Sequence, residues 1–357
     1  MPALHLQGTV LPTGEVRDLF VVDGRLSFEE ATDATTVSEG GWITPGLVDA
    51  HAHLAMSSPG EPSSVQEAVR ASAQAQLAAG VLAVREPGSP AGHAAIDLGA
   101  GLPRTVTAGH FLAPPGRYFP GLAREVDDAS LPAAAAEEAR AGGWVKIVGD
   151  FLDDRGRVTP NWSLAALSDA AAATHEAGAR ITMHATMPAS IEDAIATGFD
   201  ALEHGYGATF EHLQAMAAAG IALVPTLLIR DFIRDLAAEM PLHPDDRATW
   251  LREADDHMGV VLDADRAGVA LYAGTDAGAV EHGLVASEIA LLRDAGLSGT
   301  AALAAGSWAA RAWLGMPGIE EGEPADLVVF PDDPREDPDA LRRPSLIVLN
   351  GVVMRQV

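Results

Sequence analysis

The chain of 357 residues contains no cysteine. Disulfide staples and thiolate metal sites are therefore excluded, and any bound metal must sit on nitrogen and oxygen ligands. Positive charge is scarce as well: 23 Lys and Arg face 50 Asp and Glu, for a formal net charge of −27. The field of such a chain repels phosphate backbones and anionic lipid surfaces, so neither nucleic acid nor membrane is expected as a partner, and a small-molecule substrate is. No apolar run reaches the length that spans a bilayer, and the first ten residues lack a basic segment followed by an apolar core. A cytoplasmic location is expected. Homo-oligomers remain open, since no segment names an interface.

Lysine is the scarcest basic residue. Lys146 is the single lysine among the 23 basic side chains, and it lies inside an apolar run, Trp144-Val145-Lys146-Ile147-Val148. Arginine supplies plain positive charge everywhere else, but it cannot do what a primary amine does after losing its proton. A neutral lysine amine reacts with carbon dioxide to give a carbamate, a carboxylate-like group able to bridge two metal ions.

Other chemistry-bearing residues also sit where apolar runs end. Leu47-Val48 leads into His51-Ala52-His53, and on a strand over 47–53 the two imidazoles point to the same side. Ile181-Thr182-Met183 ends on His184, Ala201-Leu202-Glu203 on His204, and Leu271-Tyr272-Ala273-Gly274-Thr275 on Asp276. Strands are expected over 47–53, 81–86, 104–110, 144–149, 180–184, 200–204, 221–226 and 269–275. Helices are expected between them, including 64–79, 132–141, 164–177, 189–197 and 210–219, several of them ending on glycine. Eight strand-helix repeats over about 230 residues fit an α/β fold of the (β/α)8 TIM-barrel type, whose strand C-terminal ends carry the site. Outside this rhythm, Asp23-Gly24 and Asn350-Gly351 each separate two apolar runs, the signature of tight hairpins.

In combination and in this order, His51-Ala52-His53, Lys146, His184, His204 and Asp276 resemble the amidohydrolase superfamily. The surrounding segments are similar to its imidazolonepropionase-related and metal-dependent Xaa-Pro dipeptidase-like branch: Ile43-Thr44-Pro45-Gly46-Leu47-Val48-Asp49, Ala201-Leu202-Glu203-His204-Gly205, Ala273-Gly274-Thr275-Asp276-Ala277-Gly278 and Pro324-Ala325-Asp326-Leu327-Val328-Val329. The resemblance implies a catalytic barrel over 47–318 and a small β-sandwich domain formed from both termini, 1–46 plus 319–357. It implies two divalent metal ions, zinc foremost, with His51, His53 and Asp276 on one, His184 and His204 on the other, and carbamylated Lys146 between them. A hydroxide shared by the two ions would attack an amide or cyclic C–N bond, with Asp276 as general base and acid. The catalytic set is then Asp276, Lys146 and His204.

The substrate is less legible. Candidate binding residues are His110, Arg117 and Tyr118 after the third strand, Met187 after the fifth, Tyr206 after the sixth and Arg230 after the seventh. Arg85, Glu86 and 226–229 are further wall candidates. Arg117 or Arg230 would clamp a carboxylate, whereas Phe111, Tyr118, Phe119 and Phe232 would frame an aromatic ring. Met187-Pro188, Glu86 and the loop 113–119 depart from the family pattern. A dry aromatic slot would favour an alternative, a condensing enzyme that closes an aromatic amide into a heterocycle such as a benzoxazole. His5, His93, His175, His212, His243, His257 and His282 read as surface residues.

Overall fold

A computed structural model describes residues 2–56, 64–96 and 98–356. The chain has an α/β fold in which parallel strands alternate with helices. Several helices begin or end where the sequence supplies a partner or a turn for free backbone groups. The hydroxyls of Ser64, Ser163 and Thr209 accept from the amides of Glu67, Ala166 and His212, opening helices Val65–Ala78, Leu164–Glu176 and Phe210–Ala219. Gly198, Gly220 and Gly268 stop their helices in the left-handed region, where a side chain would be strained.

Strand register sets the site. Trp144–Val148 pairs in parallel with Arg180–Ala185, aligning Lys146 with Thr182 and Val148 with His184, and the next pair aligns His184 with Glu203. Lys146, His184 and His204 thus arrive at one edge of the sheet order Ala222–Val224, Ala201–His204, Arg180–Ala185, Trp144–Val148, Phe111–Ala113, Ala123–Glu125. A second sheet joins Leu47–Asp49, Val81–Glu86 and Arg104–Thr107. The expected third strand over 104–110 is split: its first half pairs with Val81–Glu86, and Phe111–Ala113 after the turn pairs with Trp144–Val148.

The expected strand at 269–275 is irregular, held by parallel bridges Leu223 to Leu271 and Ala52 to Ala277. Tight packing explains the irregularity. A side chain at Gly274 would lie 2.4 Å from Val224 and 2.6 Å from His51. Asp276 then turns to φ 55°, donating its amide to the His51 carbonyl at 2.7 Å.

Both termini pair into one seven-stranded mixed sheet, where a two-sheet sandwich was expected. The eleven-residue strand Thr35–Pro45 joins the halves, lying parallel to Leu4–Val10 and antiparallel to Leu327–Phe330. Alternation gives the C-terminal strands two buried faces. Leu327, Val329, Leu346 and Val348 pack on Leu6, Leu19, Leu26 and Ile43, while Val328, Phe330, Ile347 and Leu349 pack against the α/β part. The two expected hairpins are present, with φ of 50° and 82° at Asp23-Gly24 and 49° and 75° at Asn350-Gly351. Among the described residues, no helix is long and apolar enough to cross a membrane.

Candidate active site

Four histidines, a lysine and an aspartate from five strand ends line one cavity of about 450 Å³. The strand Leu47–Asp49 stops before the first histidine, yet the His51 and His53 Nε2 atoms lie 3.2 Å apart. Hydrogen bonds on the far side of each ring fix what faces the cavity. His53 Nδ1 contacts the Gly88 carbonyl at 2.8 Å; a carbonyl only accepts, so Nδ1 carries the proton. His51 Nδ1 donates to Glu203 Oε2 at 2.7 Å. The Thr226 hydroxyl gives its proton to the Pro225 carbonyl and thereby accepts from His204 Nδ1 at 2.9 Å.

Three imidazoles therefore turn Nε2 toward the cavity, where a cation can take the place of a proton. Asp276 Oδ1 completes the cluster, 3.3 Å from His51 Nε2 and 3.1 Å from His53 Nε2. Ligand atoms of His51, His204 and Asp276 all lie within 4.8 Å of one another. Lone pairs this close repel unless a cation sits among them, and neutral imidazole plus carboxylate is the donor set of hard-to-borderline divalent metals.

The electrostatics favour positive charge in the cluster, carried by a second proton on His53 or by a cation in its place. Burial alone would push the His53 pKa down, but hydrogen bonds and charge from Asp276 and Glu86 outweigh it and raise it to about 10. Burial likewise works against the Asp276 carboxylate, and His51 and His53 overcome it, holding the group well below the usual carboxylate range. Burial and the neighbouring Lys146 charge lower His184 to about 3, and burial with the His184 charge holds His204 well below the usual imidazole range, so both are neutral imidazoles at neutral pH. Burial lowers Lys146 to about 8, against the charge of Glu203. The lysine is 2% exposed and makes no hydrogen bond or ion pair among the described residues. A substantial neutral fraction of that amine exists near pH 8.

Backbone strain marks the same place. Among the described residues, five non-glycine residues have left-handed φ; two belong to the hairpin turns, and the others are His204, Thr226 and Asp276, with φ of 67°, 51° and 55°. Such conformations cost on the order of 1–3 kcal/mol each and persist only where the surroundings enforce them.

Beneath the cluster lies a buried support that sequence reasoning did not assign. Glu203, fully buried, accepts from His51, from Arg85 Nη2 at 2.6 and 2.8 Å and from the Thr182 hydroxyl at 2.5 Å. Arg85 is also fixed by the Ala50 carbonyl at 2.8 Å and lies 4.9 Å from the Trp144 ring. Arg85 and Glu86, expected as pocket walls, instead brace His51 and His53. Asp49 ties Thr275 by its amide at 3.0 Å and its hydroxyl at 2.6 Å, holding the segment that presents Asp276. The motif Leu202-Glu203-His204 carried the one available signal, an acidic residue inside an apolar strand next to a ligand.

Of the six candidate substrate-binding residues, Tyr118 lines the cavity. His110 turns to Glu138, 3.1 Å away. The Arg117 guanidinium donates to Asn161 and to the Phe151 and Thr159 carbonyls at 2.9–3.0 Å, clamping the hairpin 150–160. Arg230 donates to Leu227 O at 3.1 Å, and Met187 sits at the start of helix Pro188–Thr197. Tyr206 is stacked on His257 at 4.1 Å in a small side recess with Thr186, Ile233, Trp250 and Glu253. His257, read as a surface residue, is fully buried because it faces inward from the long helix Pro244–Ala267, its Nε2 on the Pro225 carbonyl. That helix and its partner Arg230–Glu239 supply Phe232, Ile233, Leu236 and Trp250 to the cavity.

Residues 42–354 match the Amidohydrolase family, and the chain belongs to it. It is 42% identical over 356 residues to an uncharacterised protein of Mycobacterium tuberculosis, spanning 98% of this chain and 95% of that one, and equally to one of Mycobacterium bovis. Among solved structures it is similar to a Xaa-Pro dipeptidase with bound methionine in the active site, with a TM-score of 0.84, 19% identity, and 99% and 100% of the two chains covered. An ochratoxinase of A. niger is similar at a TM-score of 0.83 and 18% identity, covering 99% and 96%. At such identities the likeness speaks for the fold alone.

Proposed function

We propose that this chain is a metal-dependent hydrolase of an amide or cyclic C–N bond in a small molecule. The observation that carries this reading is the convergence of three lone-pair donors, His51 Nε2, His53 Nε2 and Asp276 Oδ1, beside a buried, unpaired lysine amine. His51, His53 and Asp276 would hold one divalent ion and His184 and His204 a second, with Lys146 as its carbamate between them; zinc suits this nitrogen and oxygen set. Bound there, the ions supply Lewis acidity toward a carbonyl oxygen and lower the pKa of water.

The protein's own groups do the rest. Asp276, kept ionised, takes a proton from the attacking water as the O–C bond forms, then delivers it to the nitrogen as the C–N bond breaks. Glu203 and the Gly88 carbonyl hold the histidine tautomers throughout. In this reading the parallel runs of 47–318 close as a (β/α)8 barrel through the bridges at Leu271 and Ala277, and 1–46 with 319–357 form the small β domain.

The apolar, aromatic wall specifically favours a second reading, ring-closing condensation, in which a neighbouring hydroxyl attacks the amide carbon and the carbonyl oxygen leaves as water. Metal content by mass spectrometry on the wild type and Lys146→Arg tests the centre. About two ions per chain are expected in the wild type and one or none in the variant. One ion in both would make Lys146 structural, and none in either would overturn the proposal. Incubation with an ortho-hydroxyanilide then separates the directions: released acid and amine mean hydrolysis, and loss of one water means condensation.

A further inference from the structure

Above the floor of metal-type ligands, every cavity-lining side chain among the described residues is uncharged, and the rings of Phe111, Tyr118, Phe119, Phe151, Phe232 and Trp250 dominate. Three of these rings make an edge-on corner. Tyr118 and Phe119 stand 5.2 Å apart at 69°, Tyr118 and Phe151 5.4 Å apart at 61°, and Phe119 and Phe151 5.1 Å apart at 71°. Such a corner offers ring edges and faces to a further flat ring. Ile233 and Leu236 from helix Arg230–Glu239 close the opposite side.

The arginines that would recognise a carboxylate are committed elsewhere. Arg117 is spent on the hairpin 150–160 and Arg85 on Glu203, while Arg230 gives its Nε to Leu227 O and does not line the cavity. The segment 57–63 reads Ser-Ser-Pro-Gly-Glu-Pro-Ser and brings no basic side chain of its own. Two donors, Tyr206 OH and Trp250 Nε1, have no partner among the described residues, but they share their recess with the Glu253 carboxyl, itself unpartnered at Oε2. An anion placed there meets a carboxyl group, and the wall above the floor offers it no cationic side chain among the described residues.

We infer that the site selects an uncharged aromatic amide and rejects carboxylate-bearing analogues such as dipeptides and N-acyl amino acids. The word amide rests on the hydrolase reading; the selection for an apolar aromatic body and against an anion rests on the wall alone. An unmatched carboxylate would surrender its hydration to ring carbons without gaining a donor, whereas a phenyl ring gains burial along its whole surface.

The experiment measures binding of benzanilide and of 4-carboxybenzanilide to the purified full chain, by isothermal titration and by quenching of tryptophan fluorescence. Turnover is followed separately. The expected result is at least about tenfold tighter binding of benzanilide. Phe232, 37% exposed at the cavity edge, accommodates a charged replacement. Phe232→Arg should narrow or reverse the preference, whereas Phe232→Gln, which removes the ring without adding charge, should not; unchanged melting temperatures show that both variants are folded. Tight binding of benzanilide without turnover supports the selection while overturning the hydrolase reading. Equal affinities, tighter binding of the carboxylate, or no binding of either probe would overturn the inference.

Discussion

Replacing Glu203 by Gln is expected to be among the most damaging isosteric changes in the molecule. Glu203 is fully buried and accepts four hydrogen bonds, from His51, Thr182 and, twice, Arg85. The amide removes the charge and turns one acceptor into a donor facing N–H groups. Arg85, also fully buried, keeps the Ala50 carbonyl and the rings of Trp144 and Trp313 at 4.9 and 5.1 Å, but has no counter-ion left. Orphaning one member of a buried pair costs about 3–5 kcal/mol. With an unfolding entropy of about 2.1 cal/mol/K per residue, a chain of 357 residues has about 0.75 kcal/mol/K, so the melting temperature should fall by about 4–7 °C.

The same change releases the His51 tautomer and should weaken metal affinity about 10- to 100-fold. Scanning calorimetry and titration with a metal indicator read the two effects. Glu203→Gln combined with Arg85→Met should be less destabilised than Glu203→Gln alone, because the orphaned charge is gone. A single variant that melts within a degree of the wild type with unchanged metal affinity would refute the reasoning.

Further outcomes follow from the same geometry. Asp276→Asn should lower turnover by about 10²–10⁴-fold while the fold survives, since asparagine tolerates the φ of 55°; a rate assay beside a melting curve checks both. His257 is held neutral by burial, its pKa lowered to about 4 despite the Pro225 carbonyl. The unfolded chain binds a proton there below about pH 6.5 and the folded chain does not, so stability is lost as pH falls from about 6.5 to 4, up to about 3 kcal/mol, and His257→Phe should flatten that limb of a denaturation series. Glu288 acts in the opposite sense. Burial raises it to about 8 although it accepts the Leu227 and Leu228 amides, so the folded state keeps a proton that the unfolded state releases. Its contribution declines as pH rises from about 4.5 to 8 and is constant above; a pH–stability profile of Glu288→Gln lacking that decline is expected, and an unchanged profile would refute the assignment.

Much of the fold was legible because it is written in short-range chemistry. The helices 164–177 and 210–219 were read to within a residue, because Ser163 and Thr209 cap them and Gly178 and Gly220 stop them. The six ligand candidates converge on one cavity because each stands at the end of an apolar run whose register puts those ends on one edge. The misses have a common cause. The run over 269–275 reads as a strand by its apolar content, but contacts with His51 and Val224 bend it. The helices Arg230–Glu239 and Pro244–Ala267 were not among those named from the sequence, and they bring Phe232, Ile233, Leu236 and Trp250 to the wall.

The sequence by itself determined the family, the candidate ligands and the elements that carry them, since these depend on residue type, periodicity and capping within a few positions. Tertiary structure alone decided what each charge is spent on. Arg117 and Arg230 look like substrate clamps until the hairpin at 150–160 is seen to occupy the first and the cavity lining to leave out the second, and Arg85 looks like a wall residue until Glu203, 118 positions away, neutralises it. A charged side chain reaches any partner that folding brings within about 4 Å. The character of the cavity therefore follows from long-range contacts that no local pattern records.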